Sequence, residues 1–106
     1  MATDETYSIE IEQPDEYWAE LERLPPASQE ELTSFVAHYL TTQPTSVIPQ
    51  LAGKLKQLKG DYKGFWQYDI GDKRLIYLPE NRPRKRVLIK YLGPHPDWGK
   101  RRKRPW

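Results

Sequence analysis

The sequence contains no cysteine, which excludes disulfides and thiolate metal centres and fits a reducing cytoplasm. It has no long hydrophobic run: stretches such as Val87-Leu88-Ile89 are far too short to span a membrane, and no signal-peptide pattern is present. Histidine is scarce, with only His38 and His95. No His, Cys or carboxylate cluster has metal-ligand spacing, so neither a metal nor any other cofactor is expected. Internal repeats and low-complexity linkers are also missing, and 106 residues suffice for one core but not two. A single domain over 1–106 is expected, with a basic, flexible tail at 99–106, and an active site on the surface of one small fold.

Positive charge is nearly absent from the first half. Residues 1–50 hold ten acidic side chains and one basic one, Arg23, whereas residues 51–106 hold sixteen basic and five acidic ones. The halves could be self-complementary, but ten basic residues fall between Arg82 and Arg104. That density points to a polyanion, with nucleic acid the first candidate.

Tyr7, Ile9 and Ile11 alternate with polar residues, which predicts a strand over about 6–12. Pro14 opens a helix with Tyr17, Trp18, Leu21 and Leu24 at helical spacing, and Pro25-Pro26 stop it. Ser28 and Glu31 read as a capping box for a second helix with the stripe Leu32, Phe35, Val36, Tyr39, Leu40. Leucines at 51, 55 and 58 among lysines read as a short basic helix leading into a loop. Then FWQYDI, a Gly71-Asp72 turn, KRLIYLP, the charged loop ENRPRK and RVLIKYL predict a three-stranded antiparallel meander. The fold class is α+β: an N-terminal strand, a helical hairpin, then the meander, with the helices on one face of the sheet.

The element order, GDKRLIY at 71–77 and GPHPD at 93–97 resemble the RelE/ParE superfamily of toxins, and within it the ribonuclease branch that includes YafQ. The resemblance runs from Tyr7 to about Trp98. It implies the toxin of a type II toxin–antitoxin system, an antitoxin-neutralised endoribonuclease that cuts mRNA, commonly on the ribosome, without a metal. It further implies a cytoplasmic toxin with no membrane partner, monomeric and oligomeric through its antitoxin. His95 matches the branch's C-terminal catalytic histidine and Arg74 the arginine of the central hairpin. Asp69 lies near a position where relatives carry a functional histidine or arginine, and Tyr91 stands where an arginine is often found, preceded by Lys90.

Metal-free RNA cleavage requires a base for the 2′-hydroxyl, cations for the phosphorane and an acid for the leaving oxygen. Histidine is the side chain whose unperturbed pKa lies near neutrality, which makes His95 the candidate acid or base; its alternative role is to cap a proline-rich turn. Arg74 is suited to gripping two phosphate oxygens or, equally, to pairing with Asp69 or Asp72 across the hairpin. Tyr91 is a core or a base-stacking aromatic, and Trp98 stacks a base or covers the sheet edge. Lys54, Lys56, Lys59, Lys63, Arg82, Arg84 and Lys90, with Lys85 and Arg86 nearby, are candidate phosphate contacts. His38, on the polar flank of the second helix, reads as an ordinary surface residue. Two other functions stay open: a ParE-like inhibitor of DNA gyrase without nuclease chemistry, and a non-catalytic RNA-binding domain.

Overall fold

The computed structural model describes residues 6–94. Chain order is β1 (Ser8–Ile11), α1 (Pro14–Arg23), α2 (Pro26–Ser34), β2 (Leu55–Gln57), β3 (Trp66–Ile70), β4 (Lys73–Glu80) and β5 (Arg86–Pro94). The strands form one sheet in the order β1-β5-β4-β3-β2. The expected meander is present: β3, β4 and β5 pair antiparallel, and Gly71, at φ +61°, supplies the left-handed residue that the tight β3–β4 turn requires. β1 completes one edge by pairing parallel with β5, Ile9 beside Val87 and Ile11 beside Ile89.

Alternation along the strands divides the sheet into two faces. Tyr68, Ile70, Leu75, Tyr77, Val87, Ile89 and Leu92 point toward the helices and form one core with Tyr17 and Leu21 of α1, Leu24 just past its end and Leu32 of α2. The apolar stripe of the second helix is buried as its spacing requires, with Leu32 and Leu40 fully enclosed. Its last turn, Phe35–Tyr39, widens to a π-helical turn in which Leu40 N–H donates to the Phe35 carbonyl at 3.0 Å. Phe35 stacks on Tyr68 with ring centroids 3.9 Å apart, locking this turn to β3.

Three local expectations are corrected. The leucine-rich segment is not a helix: a 3-10 turn at Pro49–Leu51 leads to the short strand β2, and a second 3-10 turn spans Gly60–Tyr62. Gly53 at φ +90° breaks any helical path, and Leu55 alone of β2 turns into the core. The sheet therefore has five strands, with β2 at its other edge. Ser28 and Glu31 do not form a capping box, because Pro26, preset at helical φ, starts α2 earlier with Pro25 as its N-cap. Trp18 leaves the helical stripe and is 52% exposed, its ring edge-on to buried Tyr17.

Candidate functional site

The face of the sheet away from the helices carries the candidate residues. Across β3, β4 and β5, Asp69 pairs with Arg74 and Arg74 with Gly93; one row along, Lys56 pairs with Gln67, Gln67 with Ile76 and Ile76 with Tyr91. Directly paired residues share a face, so Asp69, Arg74 and Tyr91 stand on adjacent rows of one surface. Arg74 Nε donates to Asp69 Oδ1 at 3.0 Å, with side chains 14% and 26% exposed. This is the pairing that sequence alone left equal to a phosphate-gripping role, and it fixes the plane of the guanidinium.

A register shift between Ile76 and Tyr77 places an extra residue, Lys90, in β5. The shift turns Lys90 to the β1 edge, where its Nζ donates to Glu12 Oε1 at 2.9 Å and its carbonyl accepts from Gln13 Nε2 at 3.0 Å. Tyr91 folds back over Gly93, where a Cβ would stand 2.7 Å from the phenol oxygen, and donates its O–H to the Pro94 carbonyl at 2.7 Å. Burial, then the Glu20 carboxylate, push the Tyr91 pKa up from 10.0, so the group is a neutral donor at physiological pH rather than a base.

Between α1 and the end of β5 lies a cavity of about 270 Å³ whose walls include Glu16, Glu20, Arg23, Lys90 and Tyr91. Glu20 Oε2 accepts from Arg23 at 2.8 Å. Its buried Oε1 makes no hydrogen bond; Lys73 Nζ stands 3.4 Å away, in ion-pair range without hydrogen-bond geometry. The cavity opens beside Pro94, the last described residue; His95, Trp98 and the 99–106 tail lie outside the described residues.

The candidate phosphate contacts separate into two sets. Lys54 Nζ donates to Glu31 Oε2 at 2.6 Å and lies 5.4 Å from the Tyr68 ring centre. Arg84 donates to Glu10 at 3.0 Å. Arg86 reaches Glu80 at 2.8 Å and Glu10 at 3.5 Å. Much of the basic half is thus neutralised by the acidic half, as its self-complementary charge allowed. Lys56, Lys59, Lys63 and Arg82 are exposed and make no ion pair among the described residues. The three lysines cluster on β2 and the connection after it, at one edge of the sheet.

One cluster escaped the sequence reading. Glu31 Oε2 accepts from both Lys54 Nζ and Tyr68 Oη, each at 2.6 Å, and these bonds hold its carboxyl below 4.5. The Glu31 bond and, above all, burial raise the Tyr68 hydroxyl well above its ordinary range. No spacing signals this cluster, because Glu31 and Lys54 meet only through tertiary packing. The Arg86–Glu80 pair, by contrast, could have been found from the register of the β4–β5 hairpin. Among the described residues no group of three or more His, Cys, Asp or Glu side chains is placed to hold a metal, and no helix is long and apolar enough to cross a membrane.

This geometry defines an α+β protein with two helices on one face of a five-stranded sheet and an ion-paired arginine on the other. The chain has the fold of the RelE/ParE toxins. It matches the toxin–antitoxin complex RelBE2 of Mycobacterium tuberculosis with a TM-score of 0.61 and 19% identity over 85% of this chain and 99% of that one. A YoeB/ParE toxin of Agrobacterium tumefaciens gives 0.61 and 18% over 84% and 99%. A YafQ mutant from Escherichia coli gives 0.57 and 18% over 84% and 93%. The sequence matches no protein-family model and no curated protein.

Proposed function

We propose that this chain is the toxin of a type II toxin–antitoxin system and a metal-independent endoribonuclease that cuts mRNA on the ribosome, in the cytoplasm, until its antitoxin neutralises it. The observation that carries the reading is the Arg74–Asp69 pair on the helix-free face of the central hairpin, within the RelE/ParE fold. A guanidinium whose plane is fixed beforehand loses little freedom on meeting a phosphate, and it stabilises charge that develops on the phosphorane. Tyr91, whose O–H is held by the Pro94 carbonyl, borders the same region one row away. His95, the residue after Pro94 in sequence, supplies the titratable group, general acid or base, that the reaction requires. Lys56, Lys59 and Lys63 attract the flanking RNA backbone. The toxin alone is a monomer, and larger assemblies form through the antitoxin.

The test is cleavage of a defined mRNA by purified protein, with programmed ribosomes and without them, in the presence of EDTA. Cutting that survives chelation supports the reading; cutting abolished by EDTA and restored by magnesium overturns its chemistry. The neutralisation of Arg74, Lys54, Arg84 and Lys90 favours a second reading, a ParE-like gyrase inhibitor that needs no free catalytic cation. Pulse labelling after induced expression separates the two: translation halts first for the nuclease, whereas DNA synthesis halts first, with an SOS response, for the gyrase inhibitor.

A further inference from the structure

The cavity between α1 and the end of β5 is walled by side chains that the proposed chemistry does not use. β1 pairs with β5 only as far as Ile11 beside Ile89, so residues 90–94 have no strand on that side among the described residues. α1 lies there instead. Its Glu16, Glu20 and Arg23, spaced four and three apart, form one polar stripe along the cavity, and Ile11, Ile89 and Leu92 give an apolar floor. Glu16 and Glu20 balance Arg23 and Lys90, so the walls carry no net charge. A phosphate would meet the carboxylates and an ammonium the cations, which favours a neutral polar group. Hydrogen-bonding capacity remains. Arg23 has spent one of its guanidinium N–H donors on Glu20 Oε2, at 2.8 Å, and Glu16 makes no ion pair among the described residues. The Arg23–Glu20 contact therefore sets a donor directly against an acceptor, and Glu16, one turn earlier, adds a second acceptor.

We propose that this cavity takes one unpaired nucleobase that bears an amino group: adenine, cytosine or guanine. In each of these the amino group has a ring nitrogen acceptor beside it, so the base donates to Glu20 or Glu16 and accepts from Arg23 along a single edge. Uracil has no amino group, and the carbonyls that flank its ring N–H turn acceptors toward the carboxylates. A volume of about 270 Å³, just under that of drug-sized pockets, suits one base rather than a whole nucleotide, and the apolar floor receives its ring. The position is suitable as well. Gly93, which pairs with Arg74, also lines the cavity, so one strand, about 5 Å across, separates the two. RNA with a phosphate at Arg74 turns a neighbouring base over the free edge of β5 and into the cavity. The choice of a nucleobase rests on reading the chain as an RNA-cutting toxin, whereas base binding is measured without cleavage, so the two fail separately.

The test is NMR titration of the full chain, with labelled Ala, Ile and Leu methyls, against trinucleotides of cytidine and of uridine whose 2′-O-methyl sugars lack the attacking hydroxyl and are not cut. The cytidine trimer should shift the Ala19 and Leu92 methyls saturably and bind at least about tenfold tighter than the uridine trimer, the worth of one hydrogen bond to a charged group. Ala19→Leu fills the cavity from an exposed position of α1, and Arg23→Gln removes the donor at a side chain that is 65% exposed. Each should bring the two affinities together while the signals of the buried core stay in place. Equal affinities in the parent, no shift at Ala19 or Leu92, or a cytidine preference that survives in both folded variants would overturn the proposal. A chain that shows the preference but cuts no RNA keeps the site and loses the nuclease reading; one that cuts RNA and shows no preference loses the site.

Discussion

Arg74 and Asp69 face each other directly across the β3–β4 hairpin, and the arginine spends its Nε proton on the carboxylate at 3.0 Å. If the guanidinium acts on a phosphate, Arg74→Ala should slow single-turnover RNA cleavage by about 10²- to 10³-fold, the worth of one electrostatic donor in a transition state. Arg74→Lys should recover little, because an ammonium cannot reproduce the planar fork. Cleavage by Arg74→Ala at the parental rate would reduce the pair to a hairpin staple.

His95→Ala should lower the cleavage rate by about 10²- to 10⁴-fold while RNA affinity barely changes. Rate and binding are measured separately, by single-turnover kinetics and by fluorescence anisotropy. An unaltered rate in the folded variant would remove His95 from the proposed chemistry.

Exposed and paired cations should differ in their salt dependence. Substituting Lys56, Lys59 and Lys63 together with glutamine should flatten the log–log salt slope of RNA binding by about two units, at roughly 0.7 per single-strand phosphate contact. The matched triple of Lys54, Arg84 and Lys90, whose charges are held by Glu31, Glu10 and Glu12, should change the slope by less. Equal slopes for the two triples would show that the ion pairs open when RNA arrives.

Glu31 should make part of the stability depend on pH. Its carboxyl is held below 4.5 by the Lys54 and Tyr68 hydrogen bonds, so its contribution is complete above 4.5 and is lost as pH falls through the lowered folded value. The urea midpoint of the parent should therefore exceed that of Glu31→Gln near neutrality, and the gap should close as pH falls through the lowered folded value. The gap should be small, because the Glu31 side chain is 41% exposed. A gap that does not depend on pH would assign the difference to packing rather than charge.

The elements most legible in the sequence were those whose signals are local. Short runs rich in β-branched and aromatic residues in β3 to β5, with a glycine at the two-residue turn, specified the meander, and apolar spacing specified both helices. β2 was hidden because its leucine shares helical spacing with Leu51 and Leu58, and because three residues are too few to display a period. The parallel pairing of β1 with β5 leaves no local trace. It nevertheless decides which charges are neutralised, since Glu10 and Glu12 reach Arg84, Arg86 and Lys90 only through that pairing. A charge count could find the basic half but not the members already held.

That parallel pairing also sets an order of events. Ser8 bonds beside Arg86, so the first strand made on the ribosome has no partner until the last strand has been made. Helices α1 and α2 and the β3–β4 hairpin form from near neighbours, but the sheet edge must wait for a loop of nearly the whole chain to close, and non-local closure of this kind is slow. Premature termination anywhere before β5 leaves Ile9 and Ile11 exposed and the Arg74 row without Gly93 beside it. The fold therefore acts as its own proofreader: a nascent or truncated chain cannot assemble the face on which the proposed activity depends.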